Sequence, residues 1–206
     1  MKSPSLRTLC LFAVVAAAAT CTTSARGGVA VGRPAPDFSL TDNGGQVRRL
    51  SDYRGKTVVL EWTNPECPIV QKHYRSGNMP ALQKSATADG VVWLSINSGH
   101  PGGEGDYAPA QVAEWLGSMG ASPTAYLRDP DGAVGHLYGA RATPHMFVIA
   151  GDGTLVYAGA IDSIPSADPA DIAQATNYVR AALDALKAGK PVAVPTSRAY
   201  GCAVKY

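Results

Sequence analysis

The chain has 206 residues, a length suited to a single domain with a substantial core. Its 18 Lys and Arg against 16 Asp and Glu give a formal charge of +2, and 46% of its residues are hydrophobic, as in ordinary globular proteins. With no basic cluster, the chain offers nucleic acid no electrostatic foothold.

Residues 1–25 read as a secretory signal peptide. Lys2 and Arg7 form a basic start, Leu9 to Ala19 is an apolar run, and Thr23-Ser24-Ala25 supplies a small-residue cleavage site. The run is too short to span a bilayer. A variant reading is a lipid anchor on Cys21 behind the box Ala18-Ala19-Thr20, although threonine is a poor residue there. An internal helix is the bland alternative, and no amphipathic stripe supports it. Cleavage removes two of the 18 basic residues and no acidic one, leaving 16 of each, so the mature chain is formally neutral. The expected location is exported, periplasmic or extracellular, where disulfides persist. Cys67 and Cys202 are then the two cysteines available.

From there the elements follow in order. DFSLTDNGGQVRRL (37–50) is a hairpin around Asn43-Gly44-Gly45. KTVVLEWT (56–63) is a buried strand, and PIVQKHYRSGNMPALQKSAT (68–87) is helical with a break around Ser76-Gly77-Asn78. VVWLSINS (91–98) is a second apolar strand, residues 99–108 are loop, and PAQVAEWLGSM (109–119) is a helix opened by Pro109. TAYLRD (124–129) is a short strand and AVGHLYG (133–139) a short helix. HMFVIA and TLVYAGAI are strands joined by a tight turn. Residues 170–190 form one amphipathic helix on the spacing of Ile172, Ala175, Val179, Leu183 and Leu186, stopped by Gly189 and Pro191. The tail has no helical pattern. Strands alternating with helices predict an α/β sandwich with a mixed central sheet and helices on both faces.

VGRPAPDFSLTDNGGQVRRLSDYRGKTVVLEWTNPECP (31–68) resembles the opening of the redoxin families, and ATPHMFVIAGDGTLVYAGAID (142–162) resembles their cis-proline strand and hairpin. These families comprise thioredoxin-like thiol–disulfide oxidoreductases and the alkyl hydroperoxide reductase/thiol-specific antioxidant group. The resemblance implies a thioredoxin-like domain over 29–190, followed by an extended tail, 191–206, that carries Cys202.

The chemistry centres on Cys67. It stands between a strand and a helix, where free N–H groups and the positive end of the dipole favour a thiolate, the nucleophile of disulfide exchange and peroxide reduction. Pro68 fits the first helical position, while the adjacent Glu66 opposes the anion. The bland reading is a buried, inert cysteine. The second cysteine expected three residues on by the resemblance is replaced by Val70. Glu61 occupies the position of the buried carboxylate that moves a thiol proton in the thioredoxin pattern. Burial raises such a pKa and makes a usable acid/base; the alternative is a paired or solvated glutamate. Thr143-Pro144 resembles the cis-proline turn whose backbone positions an extended substrate, with an ordinary trans proline as the alternative.

Other departures narrow the reaction. Peroxiredoxins place threonine three residues before the cysteine. Asn64 stands there, with Thr63 one position earlier, so disulfide exchange outranks a peroxiredoxin-like thiol peroxidase. Arg128 or Arg141 is a candidate thiolate stabiliser, or a surface charge. AYGCAVKY resembles the Gly-Cys-x-x-Lys-aromatic tail of related redoxins. The 12 residues from Lys190 to Gly201 reach roughly 40 Å when extended, about a domain diameter. Cys202 is therefore a candidate resolving thiol for Cys67. Two alternatives stay open: a permanent Cys67–Cys202 disulfide, stabilising by on the order of 4–5 kcal/mol, and an unpaired tail cysteine. His73, His100, His136 and His145 leave room for a Cys/His metal-binding protein, though no tight ligand spacing supports it. The expected partners are a protein or small-molecule disulfide, or a peroxide, and an external thiol reductant. No bound cofactor is required.

Overall fold

The computed structural model describes Met1 and residues 29–206; the signal-like segment and Cys21 lie outside the described residues. A seven-stranded sheet runs through the domain. Its strands are β1 (Ser39–Asp42), β2 (Val47–Arg49), β3 (Val58–Trp62), β4 (Val92–Asn97), β5 (Ala125–Arg128), β7 (His145–Ile149) and β8 (Leu155–Gly159). Their spatial order is β2-β1-β5-β4-β3-β7-β8. β3, β4 and β5 are parallel, and the flanking strands are antiparallel. The helices are α1 (Pro68–Arg75), α2 (Asn78–Ala88), α3 (Pro109–Ser118), α4 (Ala133–Tyr138) and α5 (Tyr178–Lys187).

The central strands β3 and β4 are buried at every position and mostly apolar, because both faces of the sheet are covered. Their two-residue period sorts side chains into two core layers. Val58, Leu60 and Trp62 of β3, Leu94 and Ile96 of β4, and Phe147 of β7 enter one layer with Phe38, Val134 and Tyr138. Val59, Trp93, Met146 and Val148 enter the other, against Val70 and Tyr74 of α1, Leu82 of α2 and Val179 of α5. The same alternation turns Glu61 into the second layer, the side on which Cys67 lies.

The helical break read at 76–78 is real: Gly77 adopts a left-handed φ of 77° between α1 and α2. The C-terminal helix differs from its sequence reading. Pro169–Ala173 forms a separate 3-10 turn, and α5 begins only at Tyr178, where the Asn177 side chain accepts from the Arg180 N–H. That cap starts a new helix where the periodicity alone had suggested continuity.

The tail returns across the domain. It lies along β8, with the Ala158 N–H donating to the Pro195 carbonyl at 3.1 Å and the Ser197 N–H to the Ala158 carbonyl at 3.2 Å. Its last residues form β9 (Cys202–Ala203), which pairs antiparallel with β6 (Ala142–Thr143) in a separate two-stranded sheet. No helix among the described residues is long and apolar enough to cross a membrane.

Candidate active site

Cys67 is the N-cap residue of α1 and Pro68 its first helical residue. The loop before it is held by Asn64, whose carbonyl accepts from the Cys67 N–H at 3.0 Å and whose side-chain oxygen accepts from the Glu66 N–H at 2.8 Å. The Cys67 side chain is fully buried. Its Sγ donates to the Thr143 carbonyl at 3.0 Å. The Thr143–Pro144 peptide bond is cis, as the resemblance implied, and its turn faces Cys67.

Cys202 completes the site. The β6–β9 register sets Cys202 opposite Thr143, the residue whose carbonyl accepts from the Cys67 thiol, and Cys202 packs against the core cluster that contains Cys67. Both are free thiols, Cys67 buried and Cys202 half-buried. A close approach of backbones makes this possible. Gly201 has a φ of 133°, and a Cβ there would sit 2.0 Å from the Thr143 carbonyl oxygen, so only glycine fits before Cys202.

The pair is electrostatically asymmetric. Burial pushes the Cys67 thiol up, but the Cys202 side chain, Thr143 and the N–H groups of Val70 and Cys202 outweigh it and leave Cys67 below the ordinary thiol value. The Thr143 carbonyl alone favours the protonated form, and the sulfur makes no regular cap hydrogen bond; the summed donors decide the direction. Cys202 moves the other way: burial, its hydrogen bond to Cys67, and the Cys67 and Glu104 charges push it up.

Glu61 is fully buried. Its Oε1 accepts from the Tyr74 hydroxyl at 2.7 Å, and its Oε2 from Trp93 Nε1 at 2.7 Å, Ser95 Oγ at 2.9 Å and Gln83 Nε2 at 3.1 Å. Burial raises its pKa despite these four donors. None of its hydrogen bonds goes to either cysteine, so the structure brings Cys67, Cys202, Thr143, Pro144 and Pro68 together and sets Glu61 apart in a network of its own.

Neither arginine reaches the thiols. Arg128 pairs with Asp106, and Arg141 is exposed, its N–H directed at His145 Nδ1. The loop 99–108 instead grips the tail: the His100 N–H donates to the Lys205 carbonyl at 2.8 Å, and Lys205 Nζ meets Glu104 at 3.1 Å. The histidines are engaged separately. His73 is buried against Asn78, Tyr200 and Asp162, and His136 stacks on Tyr206. Among the described residues no group of three or more His, Cys, Asp or Glu is arranged to hold a metal ion. Sequence reasoning missed Asp162, Tyr200 and Tyr206. The two tyrosines were signalled only by their place beside Cys202.

A cis-proline turn facing a helix-capping cysteine on this sheet defines a thioredoxin-like protein. The chain belongs to the AhpC/TSA family, whose model matches residues 31–158. It is 34% identical over 125 residues to the thiol-disulfide oxidoreductase ResA of Geobacillus kaustophilus, spanning 52% of this chain and 67% of that protein. An uncharacterised conserved protein of Geobacillus kaustophilus superposes with a TM-score of 0.72 at 28% identity, covering 86% of this chain and 92% of the other. The thioredoxin domain of a thiol-disulfide oxidoreductase from Bacteroides vulgatus shares the fold at 16% identity, with a TM-score of 0.51 and coverage of 64% and 89%. The chain is an oxidoreductase of the redoxin type that works through thiols.

Proposed function

We propose that the protein exchanges disulfides through Cys67 as nucleophile and Cys202 as resolving thiol. The observation that carries this reading is the β6–β9 pairing, which sets Cys202 opposite Thr143, the residue whose carbonyl accepts from the Cys67 thiol. The Cys67 thiolate attacks one sulfur of a substrate disulfide, and the other leaves as a thiolate. Cys202, giving up its proton to the departing thiolates, then attacks Cys67 and expels the first substrate sulfur. The substrate gains two electrons, and the enzyme is left with a Cys67–Cys202 disulfide that an external thiol reductant reopens. Thr143 and Pro144 position the substrate chain, and Pro68 starts the helix beneath Cys67. Tethering makes the second step intramolecular and fast. A proton role for Glu61 would have to run through water or a movement of the site, because none of its hydrogen bonds reaches either thiol.

Cys67→Ser should abolish turnover. Cys202→Ser should permit the first attack and accumulate a mixed disulfide at Cys67, read by intact mass. Unchanged steady-state turnover by Cys202→Ser would sink the resolving role. Asn64, where a peroxiredoxin has threonine, spends its side chain on Glu66 and Glu104, which disfavours the peroxidase reading. Sulfenic acid at Cys67 after peroxide treatment would restore it.

The residue pattern of 1–25 supports the further proposal that the enzyme is exported. Intact mass of exported material should show these residues missing. A chain starting at Cys21 with added lipid mass would establish the anchored form, and a chain retaining Met1 would end both.

A further inference from the structure

Cys67 has no exposure to solvent, although its proposed chemistry needs contact with an outside disulfide. The tail packs beside it, with Tyr200 and Cys202 against the core cluster that holds Cys67, and with Cys202 paired to Thr143. Two tyrosines bracket Cys202 there, and each is seated on a histidine.

Tyr200 lies two residues before Cys202. Its hydroxyl donates to Asp162 Oδ1 at 2.5 Å and lies 3.3 Å from His73 Nε2. Asn78 Nδ2 stands 2.8 Å from His73 Nδ1. An amide NH₂ has only hydrogens to give, so Nδ1 is the acceptor and Nε2 carries the proton. His73 therefore donates to the Tyr200 oxygen while Tyr200 donates to Asp162. His73 and Asp162 are both buried. Without Tyr200, each would lose a hydrogen-bond partner supplied by the tail, which is costly inside a protein.

Tyr206 lies four residues after Cys202. Its ring stacks on His136 with centroids 3.9 Å apart, and its hydroxyl donates to the Ala140 carbonyl at 2.8 Å. The seat is shaped for it: a Cβ at Gly132 would come within 2.5 Å of the ring, and one at Gly135 within 2.5 Å of the hydroxyl. Tyr206 stays 39% exposed, so it is the weaker of the two anchors.

We propose that Tyr200 and Tyr206 form a two-point clasp, seated on His73–Asp162 and on the Gly132–His136 turn, that positions Cys202 on Cys67 and closes the site to outside disulfides between turnovers. The clasp rests on the reading of Cys67 and Cys202 as the exchanging pair. It gives Tyr200 and Tyr206 the part of positioning residues. The clasp must open for the first attack and close for the second, so its strength sets both access to Cys67 and the effective concentration of Cys202.

Two measurements test it, on the full mature chain carrying Tyr200→Phe, Tyr206→Ala or both. The first equilibrates the Cys67–Cys202 pair in glutathione buffers. Tyr200→Phe loses a hydrogen bond to a carboxylate and should lower the effective concentration of Cys202 about tenfold. Tyr206→Ala should lower it less, and the double variant more than either. The second measures alkylation of Cys67 by iodoacetamide in the Cys202→Ser background, where no exchange is possible. Tyr200→Phe should speed it about tenfold, with far-ultraviolet circular dichroism unchanged.

An unchanged alkylation rate in the double variant, or an unchanged effective concentration, overturns the clasp. A wild-type chain that forms no Cys67–Cys202 disulfide overturns the proposed exchange instead, and the alkylation measurement then decides the clasp alone. A global loss of stability that fully accounts for faster alkylation also overturns it. Tyr206→Ala, at a partly exposed seat, guards against that outcome being an artefact of Tyr200→Phe.

Discussion

Two buried polar clusters lie under α1, and neighbouring residues of that helix serve them: Tyr74 binds Glu61 and His73 binds Tyr200. The first is closed within the scaffold, since Tyr74, Gln83, Trp93 and Ser95 all come from α1, α2 and β4. The second is closed by a residue of the tail, with Asp162 and Tyr200 far along the chain from His73. A network satisfied locally forms with the domain. One that borrows its last member across a long loop can dissolve while the domain stands. The fixed cluster lies within the core, and the borrowed one, in the proposed clasp, positions Cys202.

The largest expected effect breaks the fixed cluster. Glu61→Gln leaves one side-chain oxygen where four donors converge, and turns an NH₂ toward them. Each donor left unpaired costs about 1–3 kcal/mol, so denaturant unfolding should show a large loss of global stability. The same variant reads the proposed proton role: a Glu61 that handles the thiol proton should shift the pH midpoint of Cys67 alkylation on replacement, and an unmoved midpoint removes that role.

Gly201→Ala should do the converse. Its Cβ meets the Thr143 backbone, so the tail should lift from β6 with little change in the unfolding midpoint. Cys67 alkylation should rise by at least about tenfold, the factor for 1.4 kcal/mol of lost docking. A stable variant with Cys67 still protected would show that β9 is not what shields it.

A smaller effect is a difference of sign with pH. Burial, aided by Lys72 and opposed by Asp162, lowers His73 to about 4 from its ordinary 6.5. The unfolded chain then takes up a proton that the folded one refuses. Stability from this group is fully present above pH 6.5 and is lost as the pH falls toward 4, by roughly 1–3 kcal/mol. His145, also lowered to about 4 by burial and by Arg141, acts in the same direction. Glu61 is raised by burial, so its folded form keeps a proton that the unfolded form releases. Its contribution is greatest in acid and falls as the pH rises above the unfolded carboxylate value of 4.5. Mild acidification should therefore weaken the tail seat more than the Glu61 network. Alkylation of Cys67, normalised for thiolate, should rise from pH 7 to 5 by more than the unfolding equilibrium allows. His73→Gln should flatten that rise.

The sequence carried the parts of the fold that local patterns dictate. Val58–Trp62 announced a doubly covered strand, Gly77 a helix break, and the strand–Cys67–Pro68 junction a cysteine at the cap of a helix. Misreading came where local pattern competed with long-range contact. Ile172 and Ala175 continue the spacing of α5 by coincidence, and the Asn177 cap overrides it. The tail has no periodicity because its structure is imposed from outside, through β6, β8 and the two histidine seats. Cys202 was found by counting cysteines. Tyr200 and Asp162 could not be found that way, because a hydrogen bond between residues so far apart leaves no mark on either neighbourhood.

The short strand β6 has a further consequence. A strand edge with unpaired N–H and C=O groups is a template for another chain to add to. The tail meets two such places, pairing with Ala142–Thr143 through β9 and bridging Ala158 of β8 at Thr196. Under the proposed clasp, each opening of the tail at Cys202 bares the β6 edge, while the segment along β8 keeps its own anchors through Ser197. Self-association is then tied to turnover: at high concentration, molecules held open by a mixed disulfide are the ones most prone to add strand to strand, while resting molecules stay dispersed.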